Sequence, residues 1–183
     1  MEPVNLHVFR NLRQVEELEV PSFISIIDEQ LINVVILDSL KKLTLTSIEA
    51  SIAAEMFNAL GKARNLRDLE INYPLKYESM DLLETFLSEN QNIVNLKITK
   101  FKPFNFNFLR SLCGNSKLKT LQLEIFKLNR LAPENDSFYF EGLENETLEL
   151  LSIKASKHLE YCLYNKYLSS MLNMFKGLKR LEL

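Results

Sequence analysis

Two cysteines and two histidines in 183 residues leave little material for a disulfide framework or a metal centre. Cys113 and Cys162 stand far apart, each in a segment of helical pattern, and neither belongs to a C-x-x-C pair. They read as free, buried thiols, which fits a reducing, intracellular compartment. His7 and His158 match no ligand spacing such as H-E-x-x-H, and nothing around His158 supports a Ser/His/Asp arrangement. Only four glycines are present, and they spell neither G-x-x-x-x-G-K nor G-x-G-x-x-G, so no phosphate cradle is written here. No apolar run approaches the roughly 18 residues that a membrane span needs. Met1-Glu2-Pro3 opens without the basic and then apolar stretch of a signal peptide. A net charge of −2 provides no general attraction for nucleic acid or an acidic membrane. Asn135-Asp-Ser137 and Asn145-Glu-Thr147 match the glycosylation triplet, a pattern that arises often by chance. No catalytic residue, cofactor or metal is expected.

What the chain does contain is a phrase. Leu118-x-x-Leu121-x-Leu123 returns as Val15-x-x-Leu18-x-Val20, Leu40-x-x-Leu43-x-Leu45, Leu66-x-x-Leu69-x-Ile71, Ile93-x-x-Leu96-x-Ile98, Leu148-x-x-Leu151-x-Ile153 and Leu178-x-x-Leu181-x-Leu183. Successive first positions are 25, 26, 27, 25, 30 and 30 residues apart. A period of that size signals a solenoid. The last two aliphatics of each phrase point the same way from an extended strand, and the residue between them points the other way. One such strand cannot bury its apolar side alone, whereas stacked neighbours can. The expectation is an α/β chain with a parallel sheet and the connecting segments packed behind it. Size and composition, with 46% apolar and 25% charged residues, fit one globular domain over residues 1–183, of about seven repeats.

The connectors read mostly as helices. Residues 4–14 and 26–39 have helix-compatible patterns, the second through the dense apolar run Leu31–Leu37. Thr46-x-x-Glu49 is a capping box, with Ile52, Ala53, Met56 and Leu60 on one face and Gly61 as a left-handed stop. A further helix is expected from Met80 to Ser88, capped by Ser79 and turning Leu82, Leu83, Phe86 and Leu87 inward. Others are expected over 104–113 and 161–176. Gly61, Gly114, Gly142 and Gly177 each fall shortly before a new phrase, as helix stops. Lys127 to Asn145 stretches its repeat around a polar loop, Pro133 to Ser137, followed by Phe138-Tyr-Phe140. The last phrase ends on Leu183 without a polar cap, which predicts a longer protein, or an end closed by a partner or a second copy.

Seven such phrases resemble the leucine-rich-repeat family, in its helix-containing, ribonuclease-inhibitor-like or F-box-associated subclass. The resemblance implies a horseshoe with the parallel sheet on the concave face and helices on the convex face. There is one departure. The family places Asn or Cys three residues after the last aliphatic, whereas Phe23, Ile48, Pro74, Phe101, Phe126 and Ser156 stand there. The side-chain ladder at that position is therefore missing, and an apolar filling is expected instead. Pro3 to Leu12 resembles the opening of an F-box, but the first strand follows too soon, and a capping helix is the better reading.

The outward strand positions are then the candidate site. They are Glu17, Glu19, Lys42, Thr44, Asp68, Glu70, Asn72, Asn95, Lys97, Thr99, Thr120, Gln122, Glu124, Ser152 and Lys154, with Arg180 and Glu182 at the end. Leu150, aliphatic in an outward slot, marks either a contact point or a shift of register. A stripe of mixed sign suits a protein partner, whereas a nucleic-acid groove would be mainly Lys and Arg with interleaved aromatics. The expectation is a non-catalytic protein–protein interaction module. The alternatives are the substrate-recognition arm of an F-box-type ubiquitin-ligase receptor, which the family resemblance implies, and a self-associating structural solenoid. Neither a nucleic acid nor a membrane is expected as partner.

Overall fold

The computed structural model describes residues 15–20, 39–46, 57–58, 60–72, 77–101, 106–125, 144–155 and 172–183. Each phrase becomes a strand: β1 Glu17–Val20, β2 Lys42–Leu45, β3 Asp68–Ile71, β4 Asn95–Phe101, β5 Thr120–Ile125, β6 Leu150–Ala155 and β7 Arg180–Glu182. They form one seven-stranded sheet in sequence order, and every neighbouring pair is parallel. The register follows the phrase, so that Leu18, Leu43, Leu69, Leu96, Leu121, Leu151 and Leu181 stand side by side. A seven-stranded all-parallel open sheet with this register is compatible with a repeat solenoid.

The alternation does its expected work on burial. Leu43 and Leu45, Leu69 and Ile71, Leu96 and Ile98, Leu121 and Leu123, and Leu151 and Ile153 are buried, as are the leading Leu40, Leu66, Ile93, Leu118 and Leu148. Each contributes on the order of 1.5–3 kcal/mol by leaving water. Helix α1, Tyr77–Glu89, adds Met80, Leu83, Phe86 and Leu87 to the same core, with Leu82 half-buried beside them. Helix α2, Phe106–Cys113, adds Phe108 and Leu112 and packs against α1. Phe57 meets Phe86 with ring centroids 5.7 Å apart. No helix among the described residues is long and apolar enough to cross a membrane.

Two local expectations are corrected. α1 begins at Tyr77, so Ser79 lies inside the helix and does not cap it. Gly61 supplies no left-handed stop, because none of the described glycines, Gly61, Gly114 and Gly177, has a left-handed φ. The Gly61 N–H donates to the Phe57 carbonyl at 3.0 Å, which continues the helical pattern, and the Ala63 N–H then closes on Leu60 at 2.9 Å. Gly177 is required for another reason. A Cβ there would lie 2.0 Å from the Glu146 carbonyl oxygen, so the main chain of the preceding repeat rests directly on it. The helices expected over 4–14 and 26–39, most of the connector after Thr46, the insertion up to residue 143 with Gly142, and the first part of 161–176 lie outside the described residues. So does the apolar filling expected at Phe23, Ile48, Pro74, Phe126 and Ser156.

Candidate interaction face

The side chains that alternate with the core aliphatics fall into rows across the sheet. The first row runs Glu17, Lys42, Asp68, Asn95, Thr120, Leu150 and Arg180. The second runs Glu19, Thr44, Glu70, Lys97, Gln122, Ser152 and Glu182. A partial third row holds Asn72 beside Thr99 and Glu124 beside Lys154. The sheet thus brings every sequence-predicted site residue into these rows. A parallel, in-register sheet places equivalent residues about 4.8 Å apart, close enough for side chains of neighbouring strands to pair.

They do pair. Lys42 reaches Glu17 at 3.4 Å, Asn95 donates to Asp68, Lys97 meets Glu70 at 2.5 Å, and the Thr99 hydroxyl donates to Asn72 Oδ1 at 3.1 Å. Burial alone would raise the Glu70 carboxyl. Hydrogen bonds from Lys97 and Asn72, with the charges of Lys97 and Lys42, outweigh it and hold the group below its ordinary 4.5.

One position departs from the sequence reading, and at another one of two alternatives falls. Ser152 belongs to the second row but is only 5% exposed, so this short side chain between Gln122 and Glu182 offers almost nothing to solvent. Leu150 keeps its register with Thr120 and Arg180 and marks no shift. The irregularity lies in β4 instead, between Ile98 and Phe101, where Lys100 takes a left-handed φ of 57°.

Sequence reasoning missed a further row at the leading edge of the sheet: Glu16, Lys41, Arg67, Val94, Lys119, Glu149 and Lys179. Each of its N–H groups donates to the carbonyl of the preceding member, from Lys41 onto Glu16 at 2.7 Å to Lys179 onto Glu149 at 2.9 Å. Lys41 pairs with Glu16 at 2.6 Å, and Glu149 takes both Lys119 at 3.3 Å and Lys179 at 3.0 Å. Hydrogen bonds from those two lysines hold the Glu149 carboxyl below its ordinary value. Val94, Lys119, Glu149 and Lys179 border an open groove of about 450 Å³. Opposite charges one repeat apart, Glu16 with Lys41 and Glu149 with Lys179, were the available signal.

A second omission is larger. A ladder exists, but it precedes the strand instead of following it. Asn90, Asn115 and Asn145 each stand three residues before the leading aliphatic, and all are buried. The Asn90 amide donates to the Leu60 carbonyl at 3.3 Å, the Asn115 amide to Asn90 at 3.5 Å, and the Asn145 amide to Asn115 at 3.3 Å. Their Oδ1 atoms accept from main-chain N–H groups of their own turns: Asn92 onto Asn90, Lys117 and Leu118 onto Asn115, Thr147 and Leu148 onto Asn145. This is the Asx-turn use of asparagine. The pattern N-x-x-[IL]-x-x-L-x-[IL] was visible at residues 90, 115 and 145.

No group of three or more His, Cys, Asp or Glu that could hold a metal occurs among the described residues. Cys113 is a free, half-buried thiol that burial pushes up to about 11. It is protonated at neutral pH and a poor nucleophile there.

No family model matches the chain, and no curated protein matches it. Among solved structures, the crystal structure of a Bacteroides fragilis protein, a Northeast Structural Genomics Consortium target, is similar over 80% of this chain at 19% identity and a TM-score of 0.42. This chain spans 44% of that protein's length.

Proposed function

We propose that the chain is a non-catalytic protein-interaction module of leucine-rich-repeat type. In this reading the sheet lies on the inner side of the curve, and its polar face binds a protein partner. The observation that supports it is the set of shared rows, to which every strand contributes a side chain in register. Side chains already fixed by cross-strand pairs lose little freedom on association, which lowers its ordering cost. The first two rows carry both signs of charge and no aromatic residue, which favours a protein surface over a nucleic-acid strand. Leu150, the one aliphatic in those rows, is the anchor. Affinity at protein interfaces concentrates in a few central contacts ringed by polar groups. An intracellular site of action belongs to the same reading and is supported by the free Cys113.

The test compares proteins retained by the immobilised wild-type chain, from an extract of its native source, with those retained by Lys97→Glu/Glu124→Lys and by Leu150→Ala. The expected result is one or more proteins held by the wild type and lost from both variants, with circular dichroism unchanged. Identical retention by all three folded chains overturns the assignment of this face.

A further inference from the structure

The Asn145-Glu146-Thr147 triplet has the form of an N-glycosylation acceptor. The fold buries the acceptor itself, while Glu146 is exposed and Thr147 half-buried at the edge of the open groove. Asn145 is 3% exposed. Its Nδ2 donates to the Leu112 carbonyl at 3.1 Å and to the Asn115 carbonyl at 3.3 Å, and its Oδ1 accepts from Leu148 N–H at 2.8 Å. Its main chain is bridged to the next repeat, donating to Met174 at 2.8 Å and accepting from Lys176 at 3.0 Å around Phe175. The Thr147 hydroxyl donates to the Leu118 carbonyl at 3.0 Å. The Glu146 carbonyl rests on Gly177, with no room even for a Cβ.

We infer that Asn145 is a glycosylation acceptor only in the unfolded chain, and that a glycan on it and this fold exclude each other. Transfer from a lipid-pyrophosphate oligosaccharide forms the bond between Nδ2 and the sugar C1 as the bond from C1 to the pyrophosphate oxygen breaks. The lipid pyrophosphate leaves with that electron pair, and the amide gives up one N–H proton to the transferase's base. The product amide keeps a single N–H where the fold uses two, so one of the Leu112 and Asn115 carbonyls loses its bond from Asn145. A sugar ring on Nδ2 must also occupy space beside a side chain that is only 3% exposed. Folded protein can therefore neither accept the glycan nor accommodate one already attached. This inference is independent of the interaction face and of the intracellular reading: it states what happens when the chain meets such a transferase, as the test arranges.

The test directs the full chain through the secretory route of a eukaryotic cell with a cleavable signal sequence. Asn145 occupancy is then measured by peptide mapping after enzymatic deglycosylation in heavy-oxygen water. Two fractions are compared, the monomeric protease-resistant one and the aggregated one, for the wild type and for Leu121→Ala, whose lesion lies away from the triplet and keeps the chain unfolded for longer. The glycan is expected only in aggregated material, at an occupancy several-fold higher in Leu121→Ala. A compact, protease-resistant monomer carrying the glycan at Asn145 overturns the exclusion. An Asn145 that stays unmodified in every fraction of both chains overturns its standing as an acceptor.

Discussion

The turns that lead into β3 and into β5 reach the same strand register with different acceptors. Before β3, the Leu66 N–H is accepted by the main-chain carbonyl of Ala63 at 3.1 Å. Before β5, the Leu118 N–H is accepted by the Asn115 side chain, also at 3.1 Å. Asn145 repeats the second solution before β6, and Phe175 returns to the first before β7. The consequence lies in what remains available. Ala63 uses its carbonyl inside its own turn. Asn115 uses its Oδ1 there, so its carbonyl can receive the Asn145 amide of the next repeat while its own amide reaches back to Asn90. A turn closed on itself thus becomes a link between repeats. A solenoid's stability is approximately a sum of repeat terms and nearest-neighbour terms. Among the described residues, the stretch from the Leu60 turn before β3 to β6 is therefore tied by the asparagine ladder, and the earlier repeats are coupled through strand pairing, the common core and the Ser39 hydroxyl on the Val15 carbonyl at 3.0 Å.

The largest expected effect asks whether the β3 and β5 repeats share that core. Leu121→Ala in β5 and Leu69→Ala in β3 should each cost about 2–5 kcal/mol in urea unfolding, since both side chains are almost fully buried. A near-silent Leu69→Ala would break the comparison by removing β3 from the packed body. Asn115→Ala comes next. It strips the acceptor from two N–H groups and the donor from Asn90, and should cost about 1–3 kcal/mol. Combined with Asn90→Ala it should show a coupling of roughly 0.5–3 kcal/mol, whereas simple additivity would mean that the rungs act alone.

Acid tests the polar face at the start of the laddered stretch. The Glu70 carboxyl is held low in the folded state, so its stabilisation is complete above its unfolded value and is lost as pH falls through the folded one. Lys97→Met should flatten the acid limb of the stability profile by less than about 1 kcal/mol, as for a pair in contact with water. An unaltered acid limb would show that Lys97 is not what holds the carboxyl low. The smallest effect belongs to Lys100. Glycine there should raise stability by roughly 0.5 kcal/mol, the left-handed cost of about 1–2 kcal/mol less the glycine penalty of about 0.5–1 kcal/mol within a strand. A lower urea midpoint would mean that the Lys100 side chain supports the bulge.

All seven strands and their register were legible because a period of two within a period of 25 to 30 admits one pairing. The outward rows followed from the same alternation. The asparagine ladder escaped because the leucine-rich-repeat pattern that the phrases resemble has its polar ladder after the strand. The same amide chemistry stands before the strand, at the identical 25- and 30-residue steps. Ser152 escaped because alternation gives direction and not reach, and a serine between two longer side chains is overshadowed. The leading-edge row escaped because it precedes the strand, where the two-residue period does not apply.

Since every strand pairs in parallel with its successor, a pull on the two ends of the chain would load the sheet one seam at a time. Each strand that peeled away would release its 25 to 30 residues, roughly 80–110 Å of slack. The seams would not yield alike. Those up to β3 would part at lower tension, and those tied by Asn90, Asn115 and Asn145 would hold longer, making the chain a spring with stiffer links in its later half.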